Sequence, residues 1–317
     1  MTNPGWGGGA SEGLPPQPRC VRHPDRPTAL SCNRCGRPAC PDCLREAAVG
    51  YQCVDCVAAG QRDVRPVRGV AGNTVTQARP VPVVTYTLMG LNVLAFLATL
   101  VQSRSIMNNQ VDSSIFANWA LNPALVAGGE WFRLIGSGFL HFGILHLAVN
   151  MYALYILGRD TEIVMGRSRY ISIYLVSLVG GSASVMAFQP VFASVTSLSW
   201  TAGASGAIFG IMGAQAVLLL RLRRSPVPII SVIAINVIIS ISLPGISFWG
   251  HAGGLLAGAA AAAAFLYVPQ WLGAGQDRLK AVRIGWIAFG AVTVVTIGII
   301  VMRVVQLREQ GLFLTSG

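Results

Sequence analysis

The stretch SWTAGASGAIFG, residues 199–210, begins a long apolar segment and sets Ser205 between Gly203 and Gly206. A polar side chain inside a membrane-type helix is costly, which makes it a candidate for function. The simpler interpretation is packing, because small residues let membrane helices approach closely. The surroundings of this stretch have to distinguish the two.

The composition indicates an all-α polytopic membrane protein. The chain has 317 residues, of which 53% are hydrophobic and 11% charged, and it holds several apolar runs near the length that crosses a bilayer. The first 80 residues contain no apolar core typical of a signal peptide, so we expect the N-terminus to be retained. We predict seven membrane spans, at residues 82–102, 140–158, 169–188, 203–221, 227–243, 247–268 and 281–302.

The net charge of +11 indicates membrane topology and not nucleic-acid binding, because the basic residues lie in the N-terminal region and in short loops between apolar runs. Most of those loops fall on one side of the membrane, which we therefore assign to the cytosol. The N-terminus is then cytosolic and the C-terminus lies outside. A transporter is disfavoured, since no predicted span carries a carboxylate or an arginine in its interior.

The chain divides by composition into five parts. We predict a disordered N-terminus at 1–19, a zinc-binding module at 20–60, a linker at 61–81, a six-helix core at 82–268, and a seventh transmembrane helix with its tail at 269–317.

All seven cysteines lie in the first 56 residues, where they form C-x2-C or C-x2-H pairs. Consecutive pairing leaves eight or nine residues between the halves of each site, whereas interleaved pairing leaves sixteen and seventeen, inside the usual range for zinc. A disulfide framework is the alternative, but a reducing cytosol disfavours it. We predict two zinc sites, one formed by Cys20, His23, Cys40 and Cys43, and the other by Cys32, Cys35, Cys53 and Cys56.

This module resembles B-box or other small cross-braced zinc fingers in its ligand spacing. Every ligand position is filled, leaving none for a reactive water, so we expect a structural role for the metal. Binding of a cytosolic protein partner is a further hypothesis.

The predicted spans contain few polar side chains that could take part in catalysis. The second carries His141, His146 and Asn150, the fourth carries Ser205, and the sixth carries His251. His146 and Asn150 are four residues apart and share one helix face. These three spans all run from outside to inside, and the polar residues lie early in each. We therefore expect them to meet at one depth, toward the outer leaflet.

Each of these residues alone has an ordinary explanation. His251 can be hydrogen-bonded between helices, and the sequence after it places Gly254 and Gly258 in a close-contact pattern. The occurrence of a serine, a histidine and an amide at the same depth is harder to explain by chance than any one of them alone. Together they favour catalysis by a serine nucleophile with a histidine base.

Four ordered motifs carry a specific resemblance: EWFR at 130–133, HFGILHLAVN at 141–150, GASG at 203–206 and GHAGGLLAG at 250–258. Over about residues 82–268 the sequence resembles rhomboid intramembrane serine proteases. The resemblance implies a six-helix rhomboid core, with the seventh span matching six-plus-one variants of the family. Trp131 and Phe132 before Arg133 are a mild departure, since relatives often have a paired aromatic or Trp-Arg there.

The resemblance also implies a role for each site residue. Ser205 is the nucleophile, His251 its general base, and Phe209 the aromatic residue that stacks on the histidine. His146 and Asn150 supply side-chain donors to the oxyanion, together with the Ser205 backbone N–H.

Other residues match supporting positions of the family. Arg133 and His141 shape the first external loop, and Gly203 and Gly206 allow close approach of helices and of a substrate backbone.

The implied reaction is hydrolysis of a peptide bond in or near a transmembrane segment of another protein, toward its outer face and without a catalytic cofactor. A rhomboid-like pseudoprotease that binds clients without cutting them is the main alternative, although that class typically lacks the serine or the histidine. Other intramembrane proteases do not fit, because neither H-E-x-x-H nor a pair of membrane aspartates occurs.

Overall fold

A computed structural model describes residues 17–63, 67–68, 74–75, 81–191, 199–243 and 245–314. The structure is 68% helical, with few strands, which confirms an all-α polytopic membrane protein. It separates into two compact units, Met1–Pro66 and Val67–Gly317. The predicted disordered segment lies almost wholly outside the described residues, so that prediction stays open.

The first unit is built around its cysteines. A 3₁₀ turn at Pro41–Cys43 leads into strand β1, Leu44–Glu46, which pairs antiparallel with β2, Tyr51–Cys53, and helix α1 follows at Val54–Asp63. The buried apolar residues of this unit are mainly cysteines, joined by Ala39 and Leu44. So small an apolar core is typical of a domain that a metal holds together.

Helix α1 continues into the segment that the sequence predicts as a linker. In the next unit, β3, Val67–Arg68, pairs antiparallel with β4, Thr74–Val75. The other linker residues before residue 81 lie outside the described part of the chain.

Helices lie over all seven predicted spans. They are α2 at Val83–Ser103, α6 at Gly143–Ala153 continuing through a π-helical turn at Leu154–Gly158 into α7 at Arg159–Met165, α8 at Arg167–Phe188, α9 at Ser205–Arg221, α10 at Val227–Ser242, α11 at Phe248–Leu266 and α13 at Arg278–Glu309. Four of these, α2, α8, α11 and α13, are long and apolar enough to cross a membrane by themselves. The chain is thus multi-pass, and the count of seven spans stays a prediction.

The second predicted span differs most from its helix. The sequence predicts 140–158, but the helix begins at Gly143, and α6 and α7 together reach Met165. A preceding helical segment, Arg133–Phe139, is bent from it by 92°. Since both pieces are apolar, hydropathy does not mark the bend between them.

Short helices that the sequence analysis did not predict connect α2 to α6. They are α3 at Ser114–Trp119, α4 at Pro123–Gly128 and α5 at Arg133–Gly136, and a fourth short helix, α12, follows α11 at Val268–Trp271. The Asn122 side chain accepts hydrogen bonds from the N–H groups of Ala124 and Leu125 and so caps α4. Caps of this kind help to stabilise helices that are too short to form by themselves.

Helices α8, α9 and α11 pack against one another through glycines. A methyl group added at Gly181 would stand 2.7 Å from the Gly250 carbonyl oxygen, and one at Gly206 would stand 3.2 Å from the same atom. Gly254 and Gly258 lie against the backbones of Gly206 and Gly210. The helices therefore approach to backbone contact where the glycine pattern after His251 predicts it.

A buried carboxylate, Glu162, joins α7 to the start of α2. Its oxygens accept hydrogen bonds from the N–H groups of Val84 and Thr85 at 3.0 and 2.8 Å, and from Thr85 Oγ1 at 2.8 Å. The first N–H groups of a helix have no partner inside it, so the carboxylate satisfies them. The sequence analysis missed this role, because the predicted second span ends before residue 162.

Helix α13 is fastened by two arginines near its C-terminal end. Arg303 Nε donates to the Met186 carbonyl at 3.0 Å, and Arg308 Nε donates to the Ala127 carbonyl at 2.6 Å. This end of α13 thus packs on α8 and α4.

Candidate active site and metal clusters

The segment before α9 is held from two sides, so that Ser205 stands at a defined helix start. Leu121 and Thr201 exchange two backbone hydrogen bonds of 2.9 Å, and the Gly203 N–H donates to the Ser137 carbonyl at 2.9 Å. Ser205 is the first residue of α9. Its backbone N–H therefore belongs to the group that lacks an intrahelical partner, at the positive end of the helix dipole.

Ser205 and His251 are in hydrogen-bond contact. Ser205 Oγ lies 2.8 Å from His251 Nε2, across the interface of α9 and α11. His251 is buried, with 8% of the residue exposed, whereas Ser205 is half-buried. A serine hydroxyl directed at an imidazole nitrogen is the arrangement that activates a serine nucleophile.

The imidazole of His251 is restrained on one face by Phe209. The two rings are stacked, with centroids 4.1 Å apart and an angle of 11° between their planes. Phe209 lies one helical turn after Ser205, so α9 provides both the hydroxyl and the surface against which the histidine rests.

The other nitrogen of His251 contacts a residue that the sequence analysis did not single out. Ser240 Oγ, on α10, lies 2.7 Å from His251 Nδ1. The hydroxyl also donates to the Asn236 carbonyl at 2.6 Å. In the sequence, Ser240 is one of several small polar residues in a mostly apolar span, a pattern that is common and therefore not specific.

His146 faces the nucleophile with one edge of its ring. The Phe142 N–H donates to His146 Nδ1 at 3.3 Å, so a neutral ring carries its proton on Nε2. A methyl group at Gly203 would stand 3.0 Å from that Nε2 and 3.5 Å from Ser205 Oγ. Glycine at 203 therefore leaves open a gap between the nucleophile and an N–H donor. The buried His141 packs its ring against His146, with centroids 5.1 Å apart.

Asn150 lies one turn after His146 on the same helix and is buried. Its amide nitrogen donates to the His146 carbonyl at 2.8 Å. An amide has two N–H donors, so this bond leaves the second for another acceptor.

Arg133 organises the short helices between α2 and α6. It is 2% exposed, and its Nε donates to Glu130 Oε2 at 2.7 Å. One guanidinium nitrogen donates to the carbonyls of Ala117 and Ala120 at 2.7 and 2.8 Å. The residue thus ties the end of α3 to the start of α5, in a structural role.

The eight zinc-ligand candidates form two groups, each with its ligand atoms within 4.8 Å of one another. The groups are the interleaved ones, Cys20, His23, Cys40 and Cys43 in the first, and Cys32, Cys35, Cys53 and Cys56 in the second. The structure thus brings together the residues that the spacing predicts.

The separations fit a tetrahedral ion. His23 Nδ1 lies 3.4 Å from the sulfurs of Cys40 and Cys43 and 3.9 Å from that of Cys20. In the second group the sulfurs of Cys35 and Cys53 are 3.8 Å apart. Four ligands about 2.3 Å from a zinc ion have sulfurs about 3.8 Å apart, so both groups have suitable dimensions.

Backbone amides favour the thiolate form at part of each group. The Cys40 N–H lowers the pKa of Cys20 to about 6, and the Cys53 N–H, 3.1 Å from Cys32 Sγ, does the same for Cys32. Burial raises the pKa of Cys43 to about 11. The hydrogen bond with the Cys35 side chain raises the pKa of Cys56 to about 12. Each group therefore contains a cysteine that readily forms a thiolate and one that a cation has to deprotonate.

Comparison with known protein families gives a match to part of the second unit. A family model described as the rhomboid domain matches residues 128–268. The chain is 35% identical to rhomboid protease GluP of Bacillus subtilis over 214 residues, which are 66% of this chain and 40% of that protein.

Two further relatives have rhomboid names. RHOMBOID-like protein 6, mitochondrial, of Arabidopsis thaliana is 37% identical over 153 residues, 46% of this chain and 47% of that protein. Rhomboid protease AarA of Providencia stuartii is 27% identical over 212 residues, 59% of this chain and 74% of that protein. The chain thus spans less than half the length of the first two relatives. Residues 128–268 of this chain thus match the rhomboid domain, and these relatives support a place for the chain in the rhomboid family.

Proposed function

We propose that this protein is an intramembrane serine endopeptidase, with Ser205 as nucleophile and His251 as general base. The observation that carries the proposal is the 2.8 Å contact between Ser205 Oγ and His251 Nε2 on neighbouring membrane helices. The stacking of Phe209 on the same imidazole adds support, and so do the relatives named as rhomboid proteases.

Acylation begins when Ser205 Oγ attacks the carbonyl carbon of the scissile bond. Its proton passes to His251 Nε2, and the carbonyl oxygen becomes an oxyanion. The tetrahedral intermediate collapses as the C–N bond breaks, and the imidazolium gives the proton to the leaving amine. The products of this half-reaction are an ester on Ser205 and a new N-terminus.

Deacylation repeats these steps with water. His251 Nε2 takes one proton from the water molecule while the water oxygen attacks the ester carbonyl. The second tetrahedral intermediate expels Ser205 Oγ, which recovers the proton, and the acid product leaves. Ser205 is half-buried, and the reaction requires water to reach it from the outer side of the membrane.

The oxyanion is stabilised by three donors: the Ser205 N–H at the start of α9, His146 Nε2–H, and the second N–H of Asn150. The gap left by Gly203 lies between Ser205 Oγ and His146 Nε2 and is suited to an oxygen that bears negative charge. Loss of one oxyanion donor costs about 3 kcal/mol, which is on the order of a hundredfold in rate.

The substrates are transmembrane segments of other membrane proteins, cleaved near the outer face of the bilayer. A helical peptide bond is shielded by its own hydrogen bonds, so the segment has to unwind before Ser205 reaches its carbonyl. The orientation, with a cytosolic N-terminus and an external C-terminus, is supported by the arginines in the loops. Reporter fusions at both termini test it.

The alternative is an inactive rhomboid-like protein that binds membrane clients. A fluorophosphonate probe distinguishes the two, since it requires an activated serine and no natural substrate. We expect the purified protein to be labelled and to cleave a model transmembrane substrate, and Ser205→Ala to do neither. Ser231→Ala, an exposed serine on α10, is the matched control and should behave as wild type. Equal activity of Ser205→Ala would overturn the proposal.

The N-terminal module holds two structural zinc ions in the two cysteine groups. Support comes from the ligand set and from the sulfur and nitrogen separations described above. Zinc would replace the missing apolar core of this unit by linking segments distant in sequence. A cytosolic protein partner of the module stays a prediction.

A further inference from the structure

We propose that Ser240 is a positioning residue that sets the tautomer of His251 required for its role as base. The inference rests on the proposed function. It concerns the nitrogen of His251 that does not face Ser205.

The contact is short and buried. Ser240 Oγ lies 2.7 Å from His251 Nδ1, and Ser240 is 4% exposed. The three residues Ser205, His251 and Ser240 come from α9, α11 and α10, so the imidazole is held at both nitrogens by different helices. Ser240 is one of two buried residues of α10, the other being Ile229.

The direction of the bond follows from counting protons. A serine hydroxyl has one hydrogen, and Ser240 donates it to the Asn236 carbonyl at 2.6 Å. Toward His251 the hydroxyl oxygen can then only accept, so Nδ1 carries the imidazole proton. A neutral imidazole has one proton on nitrogen, which leaves Nε2 with the lone pair that faces Ser205.

The opposite tautomer is unproductive. With the proton on Nε2, the ring would present an N–H to Ser205 Oγ and have no lone pair to receive the hydroxyl proton. Ser240 removes this competing state, which is part of what the carboxylate does in Ser-His-Asp triads. Because a hydroxyl is neutral, it adds no charge to stabilise the imidazolium.

The size of the effect follows from that difference. A tautomer set by a buried carboxylate is worth about 10⁴ in rate in triad proteases. A single neutral hydrogen bond corresponds to about a tenfold change. We therefore expect Ser240→Ala to lower kcat about tenfold with little change in KM, since Ser240 is buried and acts through His251.

Two variants accompany Ser240→Ala. Ser240→Thr keeps a hydroxyl able to donate to the carbonyl at position 236, and it should restore most of kcat. Ser231→Ala is the matched control, because Ser231 also donates to the carbonyl four residues earlier on α10, that of Val227, at 3.0 Å. It should leave kcat unchanged. Rescue by threonine together with an unchanged Ser231→Ala would assign the effect to the hydroxyl at position 240.

The tautomer itself is measurable on the whole protein in detergent. With ¹⁵N-labelled histidine, the nitrogen shifts distinguish Nδ1–H from Nε2–H, and His251→Gln assigns the signal among the four histidines. We expect Nδ1–H in the wild type and a population of Nε2–H in Ser240→Ala. An Nε2–H signal in the wild type, or an unchanged spectrum and kcat in Ser240→Ala, would overturn the inference.

The fluorophosphonate probe separates this result from the proposed function. If wild-type Ser205 is labelled and Ser240→Ala is labelled equally fast, only the role of Ser240 is wrong. If the wild type is not labelled at all, the dyad itself is wrong and the inference falls with it.

Discussion

Phe209 and His251 lie face to face with ring centroids 4.1 Å apart, while Ser205 contacts the edge of the same imidazole at 2.8 Å. The nucleophile and the stacking ring are one turn apart on α9, so a single rigid helix sets both the distance and the tilt of the base. This relationship makes the aromatic ring a testable part of the proposed site.

We predict that Phe209→Leu lowers kcat about threefold to tenfold, because an aromatic stack contributes about 0.5–1.5 kcal/mol beyond its area. Phe209→Tyr keeps the ring and should retain most activity. Cleavage of a model transmembrane substrate measures both. If leucine and tyrosine behaved alike, stacking would not contribute.

Gly203→Ala should reduce activity by a factor of a hundred or more, as loss of an oxyanion-site interaction does. The backbone at Gly203 has φ of +132°, and the new methyl would stand 2.8 Å from His146 Cε1. The rate of fluorophosphonate labelling measures the loss. Gly90→Ala on α2 is the control, since a methyl there meets nothing within 4 Å. A labelling rate for Gly203→Ala equal to that of the control would contradict an oxyanion role for the gap.

His146→Ala should lower kcat on the order of a hundredfold and leave Ser205 chemically competent. We therefore expect slow but measurable fluorophosphonate labelling of His146→Ala, against none for Ser205→Ala. Identical, complete loss in both variants would indicate that His146 is needed to build the site and not only to stabilise the oxyanion.

The metal content of the full-length protein should be about two zinc ions per chain. Cys53→Ser removes one ligand of the second group and should lower the content to one ion or fewer, whereas Ser31→Ala beside Cys32 should leave it unchanged. Elemental analysis after exhaustive dialysis measures it. A metal-free protein whose cysteines do not react with thiol reagents would instead support disulfides.

Glu162→Ala should destabilise the fold by about 1–3 kcal/mol, because it leaves the Val84 and Thr85 N–H groups without their acceptor. Asp160→Ala, two residues earlier and exposed, is the matched control and should have little effect. Thermal unfolding in detergent compares them. Equal stability of the two variants would mean that water replaces the carboxylate.

The amino-acid sequence by itself was enough to predict which residues form the proposed site. Hydropathy predicts where apolar helices lie because it depends on local composition. Five of the seven predicted spans lie close to their helices, which are α2, α8, α9, α10 and α11. The cysteine spacing predicted the membership of the two ligand clusters, because only interleaved pairing leaves a chain of the usual length between the halves of a zinc site.

Tertiary structure alone decided how these residues meet. Ser205 and His251 are 46 residues apart, and their contact depends on glycine-lined packing of α9 against α11. Ser240 and Glu162 had no distinctive local pattern, because a serine or a carboxylate acquires a role only from what packs against it. Local composition sets where a helix forms, whereas hydrogen bonds between helices depend on distances that only packing creates.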